Sequence, residues 1–383
     1  MNRELTPQEK VLRFLKRTKK KNKKYSILST IIVLTLIISY NLFFENDPVA
    51  VKSEGEPPLL TGTFVGDIML GRHVEEVTDK KGQEYLFRNV RPYFETSDYV
   101  TGNFEHPVTK TDDYEEADKF IHLQTSADSV KTLKNLGFSV LNLANNHTMD
   151  YLEPGLKDSV ETFNETGMDF VGAGKNIEDA GKVSYKSVNG VTIATLGFTD
   201  AYVKGARATK NDGGVANADP TIFMPLISEA KRNADLVVVH MHWGQEYDAE
   251  ASPRQKGLGH ALSDAGADIV IGHHPHVLST VEKYNDTVIF YSLGNFVFDQ
   301  GWSRTRDSAV VQYKLSKDGM ATFEITPLRI REATPSPVNS WISREKIFRQ
   351  LTKDTGESIV WKRKDGKLSF QVNHKKVIKE TRR

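Results

Sequence analysis

The stretch VIGHHPH, which ends at His276, holds three histidines within four positions, directly after an apolar run typical of a buried strand. The chain has 11 histidines in total, so the group of His273, His274 and His276 is a marked local concentration. Neutral imidazole is a common ligand of zinc and iron, and carboxylate oxygens suit harder ions such as magnesium and manganese. The histidines therefore predict a metal site if the fold brings oxygen ligands to them.

Four other apolar runs also end in side chains that can bind metal: TGTFVGDIML, YVTGNFEHP, FSVLNLANNH and DLVVVHMHWG. The candidate ligands in these runs are Asp67, Asn103, Glu105, Asn146, His147, His240 and His242. Helical patterns such as SADSVKTLKNLG separate the runs, and strands that alternate with helices predict a mainly parallel sheet with helices outside. Ligands of such folds collect at the carboxyl ends of the strands. A two-metal hydrolytic site, with ions roughly 3.5–4 Å apart, requires such a convergence.

Each candidate also has a purely structural interpretation. Asp67 could cap the turn that follows its strand, and His147 could order its loop through hydrogen bonds. His240 lies within the apolar run VVVH, which favours a hydrogen-bonded core histidine. On an extended segment, His274 and His276 point the same way, so these two could share one metal cavity.

The N-terminal region has the pattern of a membrane anchor. Residues 1–24 carry ten Lys/Arg against two acids, and no charged residue occurs between Lys24 and Glu45. That apolar length suits a transmembrane helix and exceeds the apolar core of a cleaved secretory signal. We therefore predict a basic cytoplasmic segment at 1–24, a single-pass anchor in the cell membrane at 25–44 and an extracellular remainder, by the positive-inside rule.

The formal net charge of +1 hides an uneven distribution. The chain after the anchor carries 41 Lys/Arg and 48 Asp/Glu, whereas residues 328–383 alone carry 15 Lys/Arg and six Asp/Glu. The region between is therefore acidic and is expected to repel a polyanion unless a metal or a local patch receives it, whereas the C-terminal region is expected to attract one. We expect no nucleic-acid partner.

The remaining pattern divides the exported part into three segments. Residues 45–60 contain three prolines and no apolar periodicity, so they predict a stalk. Residues 61–330 form the main domain, and residues 331–383 form a basic extension with a helix and a last hairpin. Turn signals at Asn189-Gly190, Asn285-Asp286 and Asp318-Gly319 predict hairpins. The expected α/β fold is mixed, with two sheets face to face and helices outside.

The motifs GDIMLGR, GNFEHPV, LANNHTMDY, VGAG, HWGQEYD, GADIVIGHHPHV and YSLGNFVFDQG occur in this order within the main domain. Their combination resembles the poly-γ-glutamate capsule biosynthesis protein family, the CapA/PgsA type. That family is similar in fold to calcineurin-like metallophosphoesterases. The resemblance implies a four-layer α/β/β/α sandwich with a two-metal site, preceded here by the N-terminal transmembrane helix.

Motif by motif, the resemblance implies metal ligation by Asp67, Glu105, Asn146, His242, His274 and His276, with catalytic roles for Asn146 and His147. His273 either joins the ligands or orients their loop. Where the phosphoesterases have Asp-x-His, this chain has Asp67-Ile68-Met69, and a thioether is a poor ligand for hard ions. We therefore expect one metal position to be weakened or lost. A ligand set without thiolate allows manganese, zinc, iron or magnesium.

The function implied by the resemblance is that of a membrane-anchored extracellular subunit of the poly-γ-glutamate synthesis and export complex. Its expected partners are the other subunits of the synthase in the membrane and the polymer. The chain has no G-x-x-x-x-G-K-[ST] loop for ATP, so polymerisation is assigned to a partner. Two alternatives are a cell-surface metal-dependent hydrolase, acting on phosphoesters or on polyglutamate amides, and a metal-free scaffold that binds the polymer.

Overall fold

The computed structural model of the chain describes residues 6–43, 56–201, 203–302, 304–355 and 358–378. The chain divides into two compact units, Met1–Asp47 and Pro48–Arg383. In the first unit, helix α1 spans Pro7–Phe43. It begins with a capping box, because Thr6 Oγ1 accepts a hydrogen bond from the backbone N–H of Glu9 and the Glu9 carboxylate accepts one from the Thr6 N–H.

The predicted anchor at 25–44 and the predicted stalk at 45–60 lie partly outside the described residues. Over the portion of the chain that is described, no helix combines the length and the apolar character needed to cross a membrane.

Helices and strands of the second unit follow each other in a mixed order. Its described helices are α2 (His73–Lys81), α3 (Arg91–Glu95), α4 (Ala127–Asn135), α5 (Leu152–Thr166), α6 (Ile177–Ala180), α7 (Pro220–Asn233), α8 (Pro253–Ala265) and α9 (Trp341–Leu351), with short 3₁₀ helices at Gln83–Phe87 and Lys375–Val377. Its described strands are β1 (Leu60–Ile68), β2 (Tyr99–Phe104), β3 (Val140–Asn142), β4 (Asp169–Val171), β5 (Ala173–Gly174), β6 (Ser184–Val188), β7 (Val191–Thr199), β8 (Gly214–Val215), β9 (Leu236–His242), β10 (Ile269–His273), β11 (Val281–Tyr284), β12 (Thr287–Phe290), β13 (Asn295–Val297), β14 (Asp307–Leu315), β15 (Met320–Arg331), β16 (Thr334–Pro337), β17 (Lys362–Lys364) and β18 (Lys367–Asn373).

Two large sheets organise the second unit. The first has the strand order β17-β18-β15-β14-β1-β2-β3-β4, with β13 paired to β1 and β16 paired to β15. The second has the order β11-β12-β10-β9-β7-β6, and β5 and β8 form a small separate sheet. Strands β1 to β4 run parallel, as do β7, β9, β10 and β12, whereas β6, β11 and β14 pair antiparallel with their neighbours. The expected mixed α/β fold is confirmed.

Three apolar clusters fix the layers. Residues of both sheets, such as Phe64 of β1 and Ile271 of β10, share one buried cluster, so the sheets pack face to face. The outer face of the first sheet packs against α2 to α5, with Phe163 at its centre. The outer face of the second sheet packs against α7 and α8, through residues such as Phe223 and Leu262. Each sheet is therefore buried on both faces, which explains why its central strands are continuously apolar.

The predicted hairpins form where the turn signals lie. Asn189 and Gly190 adopt φ values of 50° and 83° between β6 and β7, the conformation that a two-residue turn with Asn-Gly favours. The same holds for the last hairpin, β17–β18, which turns at Asp365-Gly366. The domain boundary predicted at residue 330 falls inside β15, because β16 and β18 pair with β15 and extend the first sheet.

Candidate metal centre

The carboxyl ends of four parallel strands meet across the two sheets. In the first sheet, Asp67 of β1 lies opposite Asn103 of β2, and in the second sheet His242 of β9 lies opposite His273 of β10. The sheets are joined here, since His273 Nδ1 lies 3.1 Å from Asp67 Oδ1. The strand ends named by the sequence therefore lie on one side of the unit, as parallel strand direction requires.

Six residues place potential ligand atoms close enough to share a metal ion. They form three overlapping groups within the described residues, and in each group the three ligand atoms lie within 4.8 Å of one another. The groups are Glu105, His242 and His274; Glu246, His274 and His276; and Asp67, Glu105 and His276. Five of these six are residues that the sequence nominated as metal ligands. The sixth, Glu246, was missed, although it lies in the quoted motif HWGQEYD.

Asp67 is fully buried within the cluster. Its Oδ1 accepts a hydrogen bond from Asn103 Nδ2 at 2.9 Å, and its Oδ2 accepts one from the backbone N–H of His274 at 3.3 Å. Burial by itself raises the pKa of this carboxyl, but the hydrogen bonds and charges of His273 and His276 outweigh burial and hold the pKa well below its usual range. Asp67 is therefore an anion poised for a cation.

The backbone around Asp67 depends on a glycine. A Cβ at Gly66 would overlap the carbonyl oxygen of Gly294, at the start of the neighbouring strand β13. That same carbonyl accepts a hydrogen bond from the Asp67 N–H at 3.0 Å. The glycine before Asp67 is thus required by the close packing of β1 against the segment that carries Asn295.

The loop that follows β10 corrects one step of the sequence argument. His274 and His276 have φ values of 93° and 56°, so the segment is not extended, and strand alternation does not place the two side chains together. They converge because the loop turns sharply, with their ring centroids 6.1 Å apart. Such positive φ values are rare for residues other than glycine and concentrate at functional sites.

His276 is surrounded by oxygen atoms. Its Nδ1 lies 2.9 Å from Asn295 Oδ1 and 3.4 Å from Asp67 Oδ2, and its Nε2 lies 3.4 Å from Glu105 Oε1. Burial lowers the pKa of this imidazole, but the charges of Glu105 and Asp67 prevail and raise the pKa to about 9. Without a metal ion, His276 therefore holds a proton beside Asp67 and Glu105.

Two buried atoms in the cluster have no hydrogen-bond partner among the described residues, Glu105 Oε1 and His274 Nδ1. Burial, and then the charge of Asp67, raise the pKa of Glu105 well above its usual value. Burial lowers the pKa of His274 to about 3 and that of His242 well below its usual value, so both rings are neutral at pH 7. A buried, unsatisfied oxygen beside neutral imidazoles fits a divalent cation, because such an ion supplies the missing partner.

Asn103 orients the carboxylates from the side. Its Nδ2 donates to Asp67 Oδ1 and, at 3.2 Å, to Glu105 Oε2. Its Oδ1 accepts from Asn142 and Asn145, which fixes the orientation of the amide. The structure thus places Asn103 behind the ligand atoms as their support.

Asn146 and His147, the expected catalytic pair, lie at the edge of the cluster. Asn146 Oδ1 is 2.9 Å from His242 Nε2, whereas His147 belongs to none of the three ligand groups. Asp150 Oδ2 accepts a hydrogen bond from His147 Nδ1 at 2.7 Å, and Lys119 forms an ion pair with the other oxygen of Asp150. Burial lowers the pKa of His147, despite the opposing effect of Asp150. Asp150 was missed, although it stands three residues after His147 in a quoted motif; Lys119 carries no sequence signal.

His240 and His273 belong to none of the three ligand groups within the described residues, and they are linked to each other. His240 Nε2 is 2.8 Å from Thr101 Oγ1, and its Nδ1 is 2.9 Å from His273 Nε2, with the two rings stacked. His240 is therefore the hydrogen-bonded core histidine that its apolar setting favoured. His273 uses its other nitrogen on Asp67, so of its two predicted roles the structure supports the orienting one.

Met69 stands where the resemblance to phosphoesterases implied a histidine, and it belongs to the apolar cluster beneath α2 to α5. Its sulfur accepts a hydrogen bond from the N–H of Gly71 at 3.2 Å, and it is fully buried. Met69 therefore packs the core and is in none of the ligand groups.

Comparisons with known proteins agree with the motifs. A sequence model described as "Bacterial capsule synthesis protein PGA_cap" matches residues 61–300. "PGA biosynthesis protein CapA" of Bacillus subtilis (strain 168) is 54% identical over 381 residues, which cover 99% of this chain and 100% of the relative. "Capsule biosynthesis protein CapA" of Bacillus anthracis is 50% identical over 389 residues, which cover 100% of this chain and 95% of the relative.

Among solved structures, the calcineurin-like phosphoesterase YfkN from Bacillus subtilis is similar with a TM-score of 0.36 and 12% identity, over 73% of this chain and 88% of that one. From the sequence comparisons, the chain belongs to the bacterial capsule synthesis protein family PGA_cap. The family predicted from the motifs is thereby confirmed.

Proposed function

We propose that the protein acts in the production of poly-γ-glutamate capsule and that a divalent metal ion at the candidate metal centre supports this role. The names of its relatives, which share half or more of its residues over nearly the whole chain, support the first part. The second part rests on one observation, the convergence of five potential ligands: Asp67, Glu105, His242, His274 and His276. Two buried atoms of this set, Glu105 Oε1 and His274 Nδ1, lack hydrogen-bond partners in the described structure.

The five residues named above would hold the ion, with Glu246 as a sixth donor and third carboxylate, and with Asn146 beside His242. Manganese, zinc, iron and magnesium all accept such donors. A bound divalent ion polarises a carbonyl or phosphoryl oxygen and lowers the pKa of a coordinated water. Asn103 would keep both carboxylates in orientation through its amide nitrogen.

The hydrogen-bonded pair of His147 and Asp150 favours a hydrolytic activity over a metal-free scaffold as the protein's part in capsule production. Asp150 accepts from His147 Nδ1 and so retains the ring proton at that atom, which leaves Nε2 as the proton acceptor of the neutral ring. Lys119 and the backbone N–H of Leu123 hold Asp150 in place. An imidazole oriented in this way at the edge of a metal site can serve as a general base or acid.

We further propose that the chain is anchored in the cell membrane through residues 25–44, with the N-terminus in the cytoplasm and the second unit outside. The ten Lys/Arg of residues 1–24 support this orientation. Its partners are then the membrane subunits of the synthase and the polymer itself. Co-purification of tagged full-length protein with those subunits tests the association; recovery of the protein alone in mild detergent contradicts it.

Complementation tests the functional proposal. In a capsule-forming strain that lacks the gene, wild-type protein is expected to restore capsule, and His274→Ala with His276→Ala is expected to leave the cells without it. His260→Ala is the matched control, since His260 is a half-buried histidine that pairs with Glu282 and belongs to no ligand group. Full capsule in the double variant, at equal protein level, refutes a role for the centre.

A further inference from the structure

Two exposed aromatic side chains lie beside the candidate metal centre. Trp302 is 61% exposed and Tyr247 is 38% exposed, whereas most large aromatic residues of the second unit are buried. Their rings meet edge to face with centroids 5.1 Å apart, and the Tyr247 ring lies 6.3 Å from that of His276. Exposed aromatic groups of this kind mark ligand or partner sites more often than isolated apolar residues do.

A chain of hydrogen bonds ties Tyr247 to the metal ligands. The Tyr247 hydroxyl accepts from Gln300 Nε2 at 3.2 Å, and Gln300 Oε1 accepts from Asn295 Nδ2 at 3.1 Å. Asn295 Oδ1 in turn lies 2.9 Å from His276 Nδ1. The position of Tyr247 is therefore linked to that of His276 through Gln300 and Asn295.

Tyr247 is held in an unfavourable backbone conformation. Its φ of 66° is uncommon for a bulky residue, and its N–H donates to the carbonyl of Pro275, within the histidine loop, at 2.8 Å. Strain of this type persists where the surrounding structure imposes it, and it concentrates at ligand sites. The fold thus keeps Tyr247 partly exposed at the surface beside the candidate metal centre, although burial of the ring there contributes little to protein stability.

A cation, Arg72, lies near Phe298 and Tyr247. Arg72 also has a positive φ, 52°, and its guanidinium lies 5.9 Å from the ring of Phe298, which is 4.9 Å from the ring of His276. The side chain is 37% exposed, and Asp299 accepts from Nη2, one nitrogen of a group that has five N–H donors. A guanidinium in this position can receive a carboxylate.

We propose that Trp302, Tyr247 and Arg72 form a subsite, here called the aromatic subsite, that binds a segment of a γ-linked glutamate chain. Each unit of such a chain carries two methylene groups and one carboxylate. The aromatic faces contact the methylene groups, and Arg72 pairs with a carboxylate. The aromatic subsite rests on the proposed function, because it names the polymer as the ligand that the metal centre meets.

Binding of a fluorescently labelled γ-linked glutamate decamer to the full-length protein, followed by anisotropy, tests the subsite. Trp302→Ala is expected to weaken binding about three- to tenfold, the usual effect of losing one aromatic contact. Trp341→Ala is the matched control, because Trp341 is 68% exposed and makes no ring contact with Tyr247, Trp302 or the histidines in the described structure. It is expected to bind as the wild type does.

A polyphosphate of equal charge separates methylene contacts from charge alone. Trp302→Ala is expected to leave polyphosphate binding unchanged, whereas Arg72→Gln is expected to weaken the binding of both the decamer and polyphosphate. Equal decamer binding by Trp302→Ala and wild type, or no decamer binding by wild type, overturns the aromatic subsite. Capsule formation is measured separately. If the histidine double variant makes no capsule and Trp302→Ala binds the decamer as the wild type does, the aromatic subsite is refuted and the proposed function stands. If the double variant still makes capsule and Trp302→Ala binds the decamer more weakly, the metal role is refuted and the aromatic subsite stands.

Discussion

Replacement of Glu105 by glutamine is expected to stabilise the metal-free protein and to weaken its binding of divalent metal. The Glu105 side chain is fully buried, and only one of its oxygens has a hydrogen bond, from Asn103 Nδ2 at 3.2 Å. The other oxygen has no hydrogen-bond partner in the described structure, and His276 Nε2 lies 3.4 Å from it. Burial and the nearby Asp67 carboxylate outweigh the charge of His276, so the ionised form of Glu105 is disfavoured on balance. A buried polar atom without a partner costs about 1–3 kcal/mol. Glutamine keeps the bond to Asn103 through its amide oxygen and carries no charge, so we expect a gain of about 1–3 kcal/mol in unfolding free energy.

The pH dependence of this gain follows from the pKa of Glu105. Burial and the charge of Asp67 raise that pKa above its ordinary value of 4.5, so the folded wild type binds a proton more tightly than the unfolded chain does. The contribution of Glu105 is therefore most favourable below pH 4.5 and is lost as pH rises through the folded-state pKa. The advantage of Glu105→Gln should accordingly be larger at pH 8 than at pH 5.5.

Urea unfolding in the presence of a chelator measures the effect, with Glu76→Gln as control. The Glu76 side chain is 65% exposed, and its replacement is expected to change the unfolding free energy by less than about 0.5 kcal/mol. Added metal should then reverse the order, because a ligand at 100 times its Kd stabilises the wild type by about 2.7 kcal/mol. Lower stability of Glu105→Gln in chelator, or equal stabilisation of both proteins by metal, would refute the reasoning.

Three further outcomes follow from other parts of the chain. Gly66→Ala is expected to reduce both the unfolding free energy and the metal content, because the added Cβ overlaps the Gly294 carbonyl. Calorimetry and elemental analysis measure the two quantities, and wild-type values of both contradict the prediction. Lys367→Ala is expected to lower the unfolding free energy by about 1 kcal/mol above pH 4.5 and by less below it, because Lys367 lowers the pKa of the half-buried Glu324 against the effect of burial. Urea unfolding at two pH values measures this, and an equal loss at both contradicts it. Protease added to intact protoplasts is expected to digest the second unit and leave a small N-terminal fragment, whereas full protection reverses the proposed orientation.

The sequence predicted the edge of the sheets at which the candidate centre lies, because strand direction decides that edge. Apolar runs that end in Asp67, Glu105 and His242 are parallel strands in the structure, and parallel strands bring their carboxyl ends to one edge. His240 was also assigned correctly to the core, since a histidine inside an apolar run must find hydrogen-bond partners there. Roles as ligands and catalytic groups stay predictions.

Features set by tertiary contacts were beyond the sequence. The positive φ values of His274 and His276 depend on packing around their loop, and no local pattern announces them. Lys119 lies in a polar stretch without periodicity, so nothing in the sequence links it to Asp150. The sequence predicted a basic C-terminal region that attracts polyanions, but within it Arg363 pairs with Glu345 and Lys367 with Glu324. Such pairings require the fold, because their partners are distant in the chain.

The metal content of purified full-length protein tests the central claim most directly. Elemental mass spectrometry after dialysis is expected to find divalent metal in the wild type and in His260→Ala. His274→Ala with His276→Ala is expected to lose most of that metal while its circular dichroism spectrum stays unchanged. Equal metal content in the double variant and the wild type would contradict the assignment of the centre.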